Sequence, residues 1–304
     1  MEFINTSPDG ISLKGYRLGC GHPSIVITAG VHGDEQTGSY TAELVQKKLQ
    51  DEVLLGQVVI YPICNPTAAR ARQRRAPQDA LDLNRIFPGS RDGSYSHQLA
   101  RHIWQATDGF DYLLDLHCCG LYGSTYAMHC YSYFDFAEEL CRAIGVTTVI
   151  HSKGTRGQLY IEACEQRKQK GLLIELPGGQ PGGVIDETAA EELAAQIVGY
   201  LKYLGIVDGS HMPSQDVRFC GCLHKDATAI CDGLCRPCVK PGSYVRAGSV
   251  IAWIDNKQIT VPFDAVVTCI LPLRLVFAGD RIASFAPAAM LPKGAVPVKQ
   301  KAGS

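Results

Sequence analysis

Several polar residues of this 304-residue chain stand where an apolar run stops. SIVITA, residues 24–29, leads into GVHGDE, which sets His32 and Glu35 three positions apart where glycines let the backbone turn. An imidazole and a carboxylate at i and i+3 of a strand-to-helix turn point the same way, and both are donors to zinc. A capping glutamate beside a hydrogen-bonded histidine would leave the same trace. FDYLLDLHCCG brings His117 to the end of another run, as a third donor or a structural histidine. Asp115, two residues earlier on the same strand face, would orient a ligand or belong to the core. GLLIEL carries Glu175 near its end, where a carboxylate has no packing use. Beside a metal it could take a proton from water and pass it to a leaving nitrogen. Three protein donors with one position left open is the arrangement of a catalytic zinc site.

Between these runs, NPTAARARQRRAPQDALDLNRIFPG packs four arginines into six residues and adds a fifth, Arg85, after Asn84. A solvated basic loop reads this way. Arginine also offers a planar fork for a carboxylate and a fixed charge for a developing oxyanion, so Asn84 and Arg85 could together grip one carboxylate.

The elements that would position these groups follow from the pattern. Strand-like runs at SIVITA, GQVVIYPIC, FDYLLDLH, VTTVI and GLLIEL alternate with helical stretches over 36–50, 94–106, 134–144, 158–168 and 187–204. This predicts an α/β domain over residues 1–207, a mixed and largely parallel sheet flanked by helices. Ligands of such sheets gather beyond the carboxyl ends of strands, where His32, Asn65, His117 and Glu175 all fall. A polar linker at 208–215 precedes short strands divided by Gly and Pro turns, with two related phrases, PGSYVRAGSVIAWI and PLRLVFAGDRIASF. These predict a smaller C-terminal all-β sandwich or barrel over 213–290 and a tail over 291–304. Cys220, Cys222, Cys231, Cys235 and Cys238 cluster around His224, but their spacing is irregular for zinc knuckles, which favours buried or spare thiols over a second metal. IDNKQITVPFDAVV resembles the hairpin of a biotinyl or lipoyl carrier, with Lys257 at the attachment position, although a turn lysine is the simpler reading.

Composition narrows the partners. With 29 basic and 30 acidic side chains the formal net charge is -1, which gives no basic field for nucleic acid or anionic lipid. No apolar stretch reaches the ~18 residues that cross a bilayer, and the first residues lack the layout of a secretory signal. Thirteen cysteines, an odd number spread along the chain, do not look like an exported disulfide framework. A cytoplasmic protein acting on a small molecule is expected, with no nucleic acid and no membrane.

Taken in order, HGDE, NP, DLNR-x-FPG, DLH and IELPGG resemble the motifs of the succinylglutamate desuccinylase/aspartoacylase family, part of the zinc carboxypeptidase-like superfamily. The match covers about residues 1–205, and the C-terminal stretch resembles the β-domain that members carry. The resemblance implies one zinc per chain on His32, Glu35 and His117, with Glu175 as general base and acid. It places Asn84 and Arg85 on the substrate carboxylate and Arg75 on the scissile carbonyl, with Arg74 open as the alternative. The implied activity is that of a zinc-dependent amidohydrolase, a deacylase that cleaves an N-acylated amino acid or related small amide by Glu-assisted attack of zinc-bound water. No confident match is found for the further arginine and tyrosines that hold a second acidic group in aspartoacylase-like members; Arg156, Tyr160 and Arg167 are the candidates. Two other readings stay open: a metallocarboxypeptidase acting on a short peptide, and a non-catalytic metabolite-binding or carrier protein. The acyl group, the amine and any homo-oligomer are not fixed by the sequence.

Overall fold

The computed structural model describes residues 1–6, 11–130, 134–180 and 182–289. Ten strands form one mixed sheet: β1 (Glu2–Thr6), β2 (Leu13–Gly19), β3 (Ser24–Ala29), β4 (Gln57–Tyr61), β5 (Tyr112–Gly120), β6 (Tyr126–Cys130), β7 (Thr148–Ser152), β8 (Lys170–Gly179), β9 (Val184–Ile185) and β10 (Arg218–Cys222). Their order is β1-β2-β4-β3-β5-β8-β6-β7-β10, with β9 hairpinned onto the end of β8. The central four, β4, β3, β5 and β8, run parallel. Helices cover both of their faces, so these strands read in the sequence as near-continuous apolar runs.

The helices are α1 (Gln36–Lys48), α2 (Pro66–Ala71), α3 (Tyr95–Ala106), α4 (Phe134–Ile144), α5 (Leu159–Arg167) and α6 (Glu187–Tyr203). On one face α1, α4 and α6 pack Val45, Leu140 and Ile197 against Ile27, Leu114 and Ile174 of the sheet. On the other, α3 and α5 pack Leu99, Ile103 and Leu159 against Val26, Val59 and Leu113. Because strand side chains alternate, Leu113, Asp115 and His117 of β5 share this second face with Leu173 and Glu175 of β8. No helix among the described residues is long and apolar enough to cross a membrane.

The rest of the chain folds into two four-stranded sheets, β11-β18-β16-β13 and β15-β14-β12-β17. Their strands are β11 (His224–Thr228), β12 (Gly233–Pro237), β13 (Tyr244–Val245), β14 (Val250–Ile254), β15 (Lys257–Thr260), β16 (Ala265–Ile270), β17 (Arg274–Val276) and β18 (Arg281–Pro287). Ile251, Val267, Ile282 and Phe285 fill the space between them. The two repeated phrases are β13–β14 and β17–β18, and each crosses from one sheet to the other in opposite directions. Lys257 begins β15, in the hairpin with β14.

One expectation is revised. The sequence places the changeover between domains at 213, but β10 lies beyond the linker and pairs in parallel with β7 as the last strand of the large sheet. Cys220 is buried there with Tyr126 and Ile150, so the changeover falls after Cys222. The cysteines grouped in the sequence are consequently dispersed, Cys220 in the large sheet and Cys235 in the small domain's core. The tail at 291–304 lies outside the described residues. Helix ends fall within two residues of the expected ranges, whereas β1, β2 and β6 carry no separate signal in the alternation of apolar runs.

The β-domain sits on the loop that joins β5 and β6. The Ser124 amide donates to the Thr268 carbonyl at 2.9 Å, the Ile270 amide donates to the Tyr122 carbonyl at 3.2 Å, and Gly123 bridges Cys269. Val266 and Ala286 add apolar contact with Tyr126 and Ile150.

Candidate active site

β3 ends at Ala29, and Gly30 turns the chain with a φ of 63°, in the left-handed region that a side chain would strain. Gly33 then passes so close to α2 that a Cβ would lie 1.9 Å from the Ala68 carbonyl carbon. The turn closes as the Glu35 amide donates to the His32 carbonyl at 3.3 Å. Glu35 occupies the N-cap position of α1, yet its carboxylate makes no capping hydrogen bond. It faces the histidines instead: Oε1 lies 2.8 Å from His32 Nδ1 and Oε2 lies 2.9 Å from His117 Nδ1. The capping explanation of HxxE therefore does not hold here.

His117 reaches the same point because β5 neighbours β3 in parallel and Leu116 pairs with Ala29, the last residue of β3. The ring centroids of His32 and His117 are 5.0 Å apart, and all three side chains are buried. Each ring's other nitrogen meets a carboxylate, Nε2 of His32 at 3.1 Å from Asp82 and Nε2 of His117 at 3.1 Å from Asp115. Thr28 in turn donates to Asp115 at 2.8 Å. A carboxylate behind the imidazole fixes the ring and leaves its opposite nitrogen for a metal. Among the described residues, His32, Glu35 and His117 form the group whose donor atoms lie within 4.8 Å of one another. Their two imidazoles and one carboxylate suit zinc.

The charges in this cluster bias one another. Burial alone would raise the Glu35 carboxyl, but the adjoining His32 and His117 hold it well below the usual carboxylate range. Burial would lower both imidazoles; Glu35 with Asp82 raises His32, and Asp115 with Glu35 lifts His117 well above its ordinary value. Glu175, in register with His117, goes the other way: burial and the negative charge of Glu35 push it up to about 7. Its Oε2 is buried without a hydrogen-bond partner. Tyr126 lies opposite it on β6, its phenol held protonated by burial and by Glu175.

The arginine loop sorts differently from the sequence expectation. α2 ends at Arg72 in the left-handed conformation, after which Arg74 turns inward and Arg75 outward. Arg74 Nη1 is 3.3 Å from Glu35 Oε1, and its Nε and Nη2 hold Asp82 at 3.1 and 3.0 Å. Arg75 is exposed, donates to the Ala80 carbonyl at 3.4 Å and does not line the cavity. Asn84 is buried; its Oδ1 accepts from the Leu159 amide at 2.9 Å and its Nδ2 lies 3.3 Å from His117 Nε2. Arg85 is exposed at the cavity and donates to the Asn84 carbonyl at 2.7 Å. Asn65, at the end of the β4 run, caps α2 by accepting from the Ala68 amide.

None of the three candidates for a second acidic group enters the cavity. Arg156 pairs with Glu162 and Glu165, Arg167 stacks on Trp104 at 3.4 Å, and Tyr160 is buried in the core with Ile161 and Leu173. Sequence reasoning missed Asp82, whose only signal was its place in DLNR, and it missed the far wall. The cavity of about 330 Å³ is closed there by Leu223, Thr268, Cys269, Arg281 and Ser284 of the C-terminal region.

Comparison with known proteins identifies relatives of this chain. The family model described as Succinylglutamate desuccinylase/Aspartoacylase catalytic domain matches residues 21–204. An N-alpha-acetyl-L-2,4-diaminobutyric acid deacetylase of Halomonas elongata is 28% identical over 194 residues, which is 62% of this chain. The aligned stretch spans only 56% of that relative's length. A succinylglutamate desuccinylase/aspartoacylase from Rhodobacter sphaeroides shares the fold, with a TM-score of 0.75, 23% identity and 94% of each chain covered. A product-bound ectoine utilization protein from Ruegeria pomeroyi superposes with a TM-score of 0.73 at 21% identity, over 94% of this chain and 93% of that one.

Proposed function

Since the chain belongs to the succinylglutamate desuccinylase/aspartoacylase family, we propose that it is a zinc-dependent amidohydrolase that deacylates an N-acylated amino acid or a related small amide. One observation carries this reading: a buried His-Glu-His donor set beside Glu175, a carboxyl lacking a partner on Oε2 and poised near neutrality. A divalent ion held by His32, Glu35 and His117 would polarise the acyl carbonyl and acidify water.

The chain's own groups do the rest. Glu175 accepts the proton of the attacking water and returns it to the departing amine; with a pKa of about 7 it can do both near neutral pH. Arg74 takes the role first given to Arg75, because it is the arginine of that loop that faces the cavity, and its charge stabilises the oxygen that turns negative. Arg85, at the mouth, receives the substrate carboxylate, and Asn84 supports it by fixing His117 and the start of α5. Asp82 and Asp115 hold the two imidazoles in orientation. A cavity of about 330 Å³ favours a small amide over a peptide. The carboxypeptidase-like ancestry suggested by the sequence fits this donor set.

The test is a purified-protein assay of a panel of N-acyl amino acids against short peptides, with metal content measured on the same sample. Turnover of the acyl amino acids with about one zinc per chain supports the reading. Peptide hydrolysis alone would move the assignment to a metallocarboxypeptidase, and binding without turnover to a carrier.

A further inference from the structure

The sheet β15-β14-β12-β17 of the C-terminal part ends in β17, and apolar side chains gather on the outside of that edge. Leu273, Leu275 and Phe277 follow one another at every second position and are 52, 67 and 64% exposed, whereas Val276 between them is buried. Side chains alternate between the faces of a strand, so the three share the outer face. Register sets Leu234 of β12 beside Leu275, and Leu234 is exposed as well. Exposed Ile230 joins the patch at the Phe277 end, where the Gly279 amide donates to the Ala229 carbonyl and the Ala278 amide to the Asp232 carboxylate, each at 2.8 Å. Edge strands of monomers are commonly guarded by charge on their outer positions, and here those positions are leucines. The patch also has unlike ends. Along the chain of β12, Arg236 lies two residues after Leu234, at the Leu273 end, and Asp232 two residues before it, at the Phe277 end; both are exposed.

We propose that this outer face of β12 and β17 is the interface of a two-fold symmetric homodimer, in which the patch of one copy packs face to face on that of another with the strands antiparallel. The area is of the right size. At roughly 200 Å² for a fully exposed large apolar residue, the five expose about 500 Å², close to the apolar share of the roughly 800 Å² that each partner gives to a standard interface. The charges select the partner and its direction. A two-fold axis across the strands sets the Arg236 end of one copy against the Asp232 end of the other and brings Leu275 of both copies near the axis. An axis along the strands would set like charges together. The patch is thus complementary to itself, which an unrelated protein or a lipid surface would not require. The side chains concerned are exposed, and the core of the sandwich, built on Ile251, Val267, Ile282 and Phe285, does not depend on them.

Sedimentation velocity over a dilution series of the full chain tests this, with thermal melts to show that each variant is folded. Wild type should sediment as two chains, with a dissociation constant of about 10 μM or below. Leu275→Glu should raise that constant about a hundredfold or more, because it sets two carboxylates near the axis in an apolar contact. Leu55→Glu alters a side chain of the large domain that is also exposed, and should leave the dimer intact. Arg236→Glu should weaken the dimer about tenfold at low salt, and the difference should shrink as salt rises. A wild type that stays monomeric at about ten times the expected constant overturns the proposal. So does a dimer that survives Leu275→Glu, or one that Leu55→Glu disrupts as strongly. An Arg236→Glu variant that associates as tightly as wild type removes the antiparallel arrangement and overturns it too.

Discussion

The role proposed for Glu175 rests on what surrounds it. A carboxyl at the end of a solvated strand would ionise at its usual pH; this one is buried beside Glu35 and shifts to about 7. Glu175→Gln should therefore lower kcat by about 100-fold or more while zinc content stays near that of wild type, measured by elemental analysis. His32→Ala should lose the metal itself. In the arginine loop, Arg74→Ala should reduce kcat/KM by roughly 100-fold and Arg75→Ala should leave it nearly unchanged, because only Arg74 reaches Glu35. Proton linkage gives a further expectation. In the metal-free protein both imidazoles hold protons more tightly than free histidine, and zinc requires them neutral. Zinc uptake at neutral pH should release protons and tighten as pH rises. Calorimetry in buffers of different ionisation enthalpy reads this directly, and a heat independent of buffer would contradict it. At this scale the sequence displayed the candidate residues, because His32, His117 and Glu175 each interrupt an apolar run. It could not separate Arg74 from Arg75: neighbours in an irregular loop have no periodicity to say which faces inward.

The elements explain why so distant residues meet. Parallel register sets Ala29, the end of β3, beside Leu116 of β5 and His117 beside Glu175 of β8, and the short turn from β3 to α1 adds Glu35. That turn depends on Gly33, where any Cβ collides with the backbone of α2. Gly33→Ala should cost roughly 1–3 kcal/mol of stability, seen as a lower denaturant midpoint, and should weaken zinc binding because His32 and Glu35 flank the displaced backbone. The long two-face-buried strands were legible as apolar runs. β1, β2 and β6 were not: β1 is an edge strand with mostly exposed side chains, β2 alternates buried with exposed positions, and β6 has His129 inside its run. Register between strands is likewise absent from a single sequence, so the pairing of Glu175 with His117 and Tyr126 had to come from the structure.

For the molecule as a whole, the β-domain forms one wall of the cavity. Cys269 of β16 lines the cavity. Cys269→Phe should narrow it, raising KM for bulkier acyl substrates at least about tenfold while metal content is retained. Equal KM values for small and bulky substrates would show that the wall lies elsewhere. The two-part organisation was readable from the change of texture after residue 207, but the contribution of Thr268, Cys269 and Arg281 to the cavity was not. It depends on how the two parts of the chain dock, which no local pattern encodes.

The position of β10 limits how the chain can be divided. The polar stretch at 208–215 looks like a natural place to cut, yet the strand beyond it completes the large sheet beside β7. A fragment stopped there would leave the amides and carbonyls of β7 uncovered, an invitation to aggregation through strand addition. The two halves are interlocked and not modular: neither exchange of the C-terminal part between proteins nor its deletion can proceed at the apparent seam without carrying this strand along.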